Sequence, residues 1–469
     1  MSGVKTIRSA SDNDKELSIL RKAVDNIEKN VGERLLKSED VIKMIHIVEE
    51  FLKKKKLICY GGTAINNLLP KHSQFYNKDI EIPDYDFFSI DPIKDVKELA
   101  DIYASEGFIE IEAKAGMHHG TYKLYVNFTP IADITYIVPE IFNSIKKDAI
   151  KVNGIMYAPP DYLRMSMYLE LSRPNGDVSR WEKVLKRLIL LNTYHPIKRG
   201  KCISEFSRGY EGKQDPTIIY NTIRDASSDL DVVLFGGFAM DLYSKYLTTN
   251  QKKSYVSQPD FDILSEDPYK SATMIKERLL DAGIKGIKIQ THKEIGELIS
   301  THYEIIVERD TVAFLYKPSA CVSYNNFRVG GKTIKIASID TMLSMYMAFS
   351  SVDRSYYNRN RIMCMTQYLF DVQMKNRFKQ KGLLQRFGID CYGYQETLED
   401  IRSKKAKKFR ELSRGDKDYE EWFMKYSPSP KKSKPSRKKT KTNKSATKKK
   451  KIRNRLLYQI KIIDLFSRL

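Results

Sequence analysis

Asp84 and Asp86 in "PDYDFF" are two positions apart, and Asp133 stands alone in the apolar run "PIADITYIV". On a strand, side chains two apart share a face, so Asp84 and Asp86 project together while Tyr85 points the other way. Two carboxylates held that close repel unless a cation sits between them, which makes the pair a natural Mg²⁺ or Mn²⁺ site. A third carboxylate lets such a site hold two ions about 3.5–4 Å apart and act on a phosphoryl group. Asp133 is the candidate, because a lone charge inside an apolar strand is costly without a partner. The bland readings are an exposed turn for Asp84 and Asp86 and a water-facing strand end for Asp133.

A second feature lies just upstream. Gly61-Gly62 follow the buried-strand pattern "LICY" and open the helical stretch "TAINNLL". Glycines before a helix let backbone N–H groups approach an anion such as a triphosphate, and the helix N-terminus adds partial positive charge. Thr63 could add a hydroxyl. A Gly-Gly pair alone is usually a turn; its weight here comes from the order helix, strand, Gly-Gly, helix. The preceding helix is read over "SEDVIKMIHIVEEFLKKKK", with Ser38 as N-cap. Further on, "SRWEKVLKRL" repeats Arg180, Lys183, Lys186 and Arg187 at helical spacing. Lys183 and Lys186 are taken as candidate nucleotide ligands; a solvated helix face explains them equally well.

These elements occur twice. "VVLFGGFAMDLY" copies the layout of "LICYGGTAINNL" 175 residues later. "PDFDILSEDPYK" matches "PDYDFFSIDPIK" at an offset of 176, with seven of twelve positions identical. "SMYMAFS" follows "SMYLELS" at 178. Three matches in the same order describe one mixed α/β (α+β) fold used twice, at a period too long for a solenoid. The expected organisation is an N-terminal helical segment (1–50), a first module (51–200), a second module (201–400) and a basic tail (401–469). The second copy keeps Gly236-Gly237 and Asp260/Asp262. Aligning "YEIIVERDTVAFLYK" with "YKLYVNFTPIADITY" puts Phe314 where Asp133 stands. The second module is therefore read as degenerate.

Composition narrows the partners. At 469 residues with 41% hydrophobic content, the chain can build two to three cores. No apolar run approaches a membrane span, and "MSGVKTIRSASDNDKELS" has no secretory core region, so the chain is read as neither membrane-bound nor secreted. Net charge is +22, and fourteen of the positive charges fall between Lys431 and Arg455. That balance points to a polyanion, most simply nucleic acid. The Lys-rich run reads as an RNA tether or a solvated tail, and the final "LLYQIKIIDLF" as a segment that docks. Five scattered cysteines without Cys-x-x-Cys spacing fit a reducing compartment better than a disulfide framework or a zinc site. His118-His119 would point to opposite faces of a strand, so joint ligation is not expected.

Together, Gly-Gly, Asp-x-Asp and a distal Asp resemble a nucleotidyltransferase of the polymerase-beta type. "YGGTAINNLL", "PDYDFFSIDP", "ADITYIVPEIFNSI" and "PPDYLRMSMYLELSRPNGDVSRWEKVLKRL" resemble the catalytic subunits of poly(A) polymerases from poxviruses, giant viruses and other large cytoplasmic DNA viruses. The 21 residues between Gly62 and Asp84 exceed the cellular pattern and favour the viral branch. The resemblance implies template-independent addition of AMP from ATP to the 3′ end of mRNA. Asp84, Asp86 and Asp133 would bind two Mg²⁺ or Mn²⁺ ions, and Gly61, Gly62 and Thr63 would hold the triphosphate. It also implies a cytoplasmic setting, viral factory or virion, and processivity from homodimerisation or a viral partner. Two other readings stand beside it: an RNA-binding scaffold with both modules inactive, or another template-independent nucleotidyltransferase of oligoadenylate or CCA-adding type.

Overall fold

The computed structural model describes residues 15–24, 26–27, 38–76, 83–197, 210–247 and 258–428. Helix α1 (Glu39–Lys55) follows Ser38 and buries Met44, Val48, Phe51 and Leu52 on one face. It feeds β1 (Ile58–Cys59), wholly buried, and then α2 (Gly61–Leu68). The expected strand with the paired aspartates is β2 (Tyr85–Ser89), and α3 (Pro92–Ser105) follows at once. A meander of β3 (Ile111–Ala115), β4 (Thr121–Val126) and β5 (Thr129–Tyr136) leads into α4 (Pro139–Asp148). The hairpin β6 (Ile150–Val152) and β7 (Ile155–Tyr157) precedes α5 (Pro160–Leu171) and α6 (Trp181–Tyr194).

The second half repeats this plan. Its pieces are α7 (Pro216–Asp229), β8 (Val233–Phe235), α8 (Gly236–Tyr243), β9 (Phe261–Leu264) and α9 (Pro268–Asp281). Five strands follow: β10 (Ile287–His292), β11 (His302–Val307), β12 (Asp310–Tyr316), β13 (Val322–Val329) and β14 (Lys332–Ala337). Helices α10 (Ile339–Ser350) and α11 (Arg359–Lys375) and strand β15 (Cys391–Tyr392) come next. The first sheet runs β3-β4-β5-β2-β1-β7-β6 and the second β10-β11-β12-β9-β8-β14-β13. Strand for strand the order is the same, so the sequence repeat is a repeat of topology. Both sheets lie in one compact unit, residues 1–428. The boundary expected near residue 200 lies outside the described residues.

Local chemistry explains the matching motif. In "SIDPIK", the Asp91 side chain caps α3 by accepting from Lys94 N, Pro92 opens the helix, and Ser89 Oγ accepts from Asp91 N at 2.9 Å. In "SEDPYK", Asp267 caps α9 from Lys270 N, and Ser265 Oγ accepts from Asp267 N at 3.2 Å. The shared residues are a strand-to-helix turn, used once per module.

Two expectations need correction. Residues 401–428 do not begin a low-complexity tail: α12 (Leu398–Glu411), α13 (Lys417–Phe423) and β16 (Lys425–Tyr426) fold back, and β16 pairs antiparallel with β3 at the edge of the first sheet. The charge run beyond them and the last apolar segment lie outside the described residues. The cysteines also depart from the all-reduced reading. Cys321 and Cys391, 70 residues apart in sequence, are joined by a disulfide with Cα atoms 5.2 Å apart, because β15 pairs with β13. Cys364 is disulfide-bonded too, and among the described residues Cys59, buried in β1, is the free thiol. No described helix is long and apolar enough to cross a membrane.

Candidate active site

Strands β2 and β5 run parallel with Asp86 directly opposite Asp133. Tyr85 and Phe87 alternate with the aspartate and are buried in the core, which forces Asp86 onto the opposite face beside Asp133. Asp84 precedes the strand in the same phase. On the other side of β5, Lys123 of β4 pairs in register with Asp133, and its Nζ binds Asp133 Oδ2. Asp86 and Asp133 therefore stand side by side on neighbouring strands, flanked by one cation.

The glycines meet this rung. Gly61 adopts φ +69°, and a Cβ there would lie 2.4 Å from Asp86 Oδ2. Only glycine allows both the backbone conformation and the approach. Tyr60 N donates to Asp86 O at 2.8 Å, tying the start of α2 to β2. The Tyr60 ring stacks on Phe88 with centroids 3.9 Å apart, and its hydroxyl bonds Thr135 Oγ1 at 2.9 Å, two residues past Asp133. The first turn of α2 is thus fixed over both acidic strands.

The electrostatics follow from this crowding. Burial, then Asp84, then Asp133 push Asp86 up to about 7, while Lys123 and Arg180 pull the other way. Asp84 is raised by loss of solvent and by Asp133. Burial is the largest single influence on Lys123 and opposes its charge, but its bond to Asp133 together with the charges of Asp133, Tyr125 and Asp84 outweighs it and the pKa rises. A cluster that raises its own acids in this way favours added positive charge. Its donors are carboxylate oxygens alone, which suit hard Mg²⁺ or Mn²⁺. Among the described residues, however, no three acidic, imidazole or thiol groups form a closed ligand set. Lys123 takes part of Asp133, so full convergence of the triad is not present.

Other candidates sort by position. Thr63 is buried and its Oγ1 donates to Asp84 O at 2.6 Å, so it props the acidic loop instead of presenting its hydroxyl to an anion. Lys183 and Lys186 lie on the exposed side of α6, and Lys186 pairs with Glu182 at 2.6 Å. Arg187, one residue on, faces the glycines. Its guanidinium sits 4.6 Å from the Phe75 ring, donates to Tyr76 Oη at 2.7 Å, and has Nη1 3.0 Å from where a Gly62 Cβ would be. The long segment between Gly62 and Asp84 thus supplies Phe75 and Tyr76 as a roof over the cradle. Arg187 was visible in the basic helical repeat; what sequence did not show was which side of α6 faces inward.

The second module lacks this arrangement. Phe314 occupies the register of Asp133, opposite Asp262. The glycine contacts are kept, with a Cβ on Gly236 falling 1.7 Å from Asp262 Oδ2 and one on Gly237 2.9 Å from Asp260 Oδ1, so what is missing is the third carboxylate.

Comparison with known proteins gives this geometry a lineage. The sequence model of the family described as poly(A) polymerase catalytic subunit matches residues 46–177. A protein of African swine fever virus (strain Badajoz 1971 Vero-adapted), described as such a catalytic subunit, is 36% identical over 159 residues, covering 33% of this chain and 33% of that protein. One from Acanthamoeba polyphaga mimivirus, described in the same way, is 29% identical over 160 residues, 33% of this chain and 27% of the relative. The matched region spans a third or less of the length of these relatives. In three dimensions the chain is similar to the Megavirus polyadenylate synthase, with a TM-score of 0.73 over 91% of this chain and 88% of that one at 17% identity, which establishes the shared fold. Residues 46–177 therefore resemble the poly(A) polymerase catalytic subunits described for African swine fever virus and mimivirus.

Proposed function

We propose that this chain is a polynucleotide adenylyltransferase that adds AMP from ATP to the 3′-OH of RNA without a template. The observation that carries the reading is the Asp86–Asp133 rung lying under the Gly61 turn, within the stretch matched to the family. In this reading the free N–H groups of the first turn of α2 receive the triphosphate, with the helix terminus adding partial positive charge. Arg187 holds a phosphate oxygen, braced by Phe75 and Tyr76. Asp84, Asp86 and Asp133 would hold the divalent ions, and Thr63 and Tyr60 fix the two loops that bear them. When bound there, two such ions supply activation of the 3′-OH and neutralise charge as pyrophosphate leaves the α-phosphorus. Lys123 holds the Asp133 carboxylate in place through its Nζ–Oδ2 contact. The chain needs no nucleophile of its own, since the RNA 3′-oxygen attacks. Processivity, through self-association or a separate viral partner, belongs to the same reading.

The test uses purified protein, a short RNA, Mg²⁺ or Mn²⁺, and each nucleoside triphosphate in turn. ATP-dependent lengthening of the RNA, lost in Asp84→Ala/Asp86→Ala and kept in Asp260→Ala/Asp262→Ala, is the expected result. Lengthening that depends on the second pair and not the first would assign the wrong module, and none with any nucleotide would leave a binding protein.

A further inference from the structure

We infer that the surface running from the start of α6 onto residues 377–387 is a stacking track for the single-stranded 3′ segment of an RNA. The inference rests on the RNA-extending reading of the neighbouring site and adds where the RNA lies. Three observations meet there. The first is aromatic: Trp181, held by its Nε1 bond to Glu170 O at 2.9 Å, has its ring 5.9 Å from that of Phe387. Phe387 is 38% exposed and Phe378, in the same segment, 86% exposed. Single exposed apolar residues are ordinary. These differ in being paired with cations, since the Arg377 guanidinium lies 4.8 Å from the Phe378 ring. The segment is held in shape, with Lys379 N bonded to Asn376 O at 2.8 Å and Arg386 N to Gln380 Oε1 at 3.0 Å.

The second observation is a buried donor. Arg173 Nε, just past the end of α5, has no hydrogen-bond partner among the described residues. Buried polar atoms are rarely left so, and a guanidinium N–H fits a phosphate oxygen. The third is position. Arg180, next to Trp181, ion-pairs with Glu170 at 3.2 Å and is close enough to Asp86 to act on its charge. The patch therefore adjoins the acidic rung. Exposed aromatic faces interleaved with guanidinium groups, beside a site for a 3′ end, match the chemistry of single-stranded nucleic acid: bases stack on rings and phosphates take the arginines.

The test is fluorescence anisotropy of the full chain with a short labelled oligo(A), without ATP or divalent ions, across a salt series. Phe378→Ala and Phe387→Ala are each expected to weaken binding about fivefold or more with the salt slope unchanged. Arg377→Gln and Arg173→Gln should each flatten that slope by about one. The chain has two tryptophans, so Trp422→Phe leaves Trp181 as sole reporter of stacking whatever the Lys-rich run binds. In that background oligo(A) should quench Trp181 emission, and Phe387→Ala should reduce the quench. Variants that bind oligo(A) and quench as the parent does, at unchanged Tm, overturn the track and leave a protein-docking patch. A wild-type chain that binds with these losses yet adds no AMP sinks the adenylyltransferase reading instead.

Discussion

At the scale of single residues, Gly61 and Asp86 constrain each other most tightly. Gly61→Ala places a methyl 2.4 Å from Asp86 Oδ2 in a backbone conformation that costs an L-residue about 1–2 kcal/mol. The fold should survive that, but the carboxylate must move, and misplacement of about 1 Å can lower turnover about 10²-fold. The expected outcome is a folded protein by circular dichroism, with a slightly lower Tm and AMP incorporation down by that order. Arg187 and Lys186 give a sharper contrast. Arg187→Met removes a guanidinium fixed against Phe75 and Tyr76, and charge-assisted bonds of about 1.5–3 kcal/mol correspond to about a 10- to 150-fold rise in KM for ATP. Lys186→Met breaks an exposed pair with Glu182, of a kind that contributes little, so KM should stay within about twofold. Steady-state kinetics on the two variants separate them. Sequence located the basic helix but not its phase: adjacent residues differ by about 100° around the axis, and nothing local fixes which one turns inward.

At the scale of elements, the repeat was the most legible part. An offset of 175 to 178 residues, kept across a Gly-Gly turn, an Asp-x-Asp strand and a helix, implied two copies of one sheet, and the strand orders agree. The hairpin alignment that put Phe314 at the third acidic position is the register found. What sequence could not show depends on long-range pairing. The β16–β3 contact joins residues about 310 positions apart through a two-residue strand, and the Cys321–Cys391 bond needs β15 beside β13. Neither leaves a local pattern. The degenerate sheet also holds an element whose behaviour can be worked out. On its equivalent face His302 is buried, with Nδ1 at 3.0 Å from Ser300 O and Nε2 at 3.1 Å from Tyr356 Oη. Burial chiefly, then His292 and Arg354, lower its pKa to about 4, while Ser300 O and Glu304 act in the opposite sense. The folded pKa lies below the unfolded value of about 6.5, so between these limits the unfolded chain binds more protons. Stability from this group is complete above pH about 6.5 and lost as pH falls towards 4, by about 3 kcal/mol at most. Denaturant unfolding should show that slope in the wild type and a flatter one in His302→Gln.

At the scale of the whole molecule, the question is what a module with Phe314 in the third acidic position contributes. Its contacts point to the element that follows the Asp133 strand. Helix α4 starts at Pro139, three residues after β5 ends, and two of its acids reach across: Glu140 accepts from both terminal guanidinium nitrogens of Arg354, Nη2 to Oε2 at 3.1 Å, and Asp148 binds Arg359 at 2.5 Å. Gly296 comes so near that a Cβ would sit 2.9 Å from Val138 and from Ile141. Helix α5 is gripped as well, by Ser344 Oγ on Met165 O at 3.1 Å and Ser323 N on Ser172 O at 2.7 Å. A rigid brace placed there would hold β5, and with it Asp133, at a fixed height against β2. Surface ion pairs add little to stability, so Arg354→Glu should shift Tm by only a few degrees. Its effect should fall on turnover: kcat lower by about five- to tenfold, KM for ATP unchanged, because the cradle proposed for the triphosphate on α2 is not touched. Glu140→Arg in the same chain rebuilds the pair with reversed sign and should restore most of kcat, a coupling that a double-mutant cycle measures directly. If the two changes simply add, with no recovery in the reversed pair, the second module is held beside the first without bracing its acidic strand.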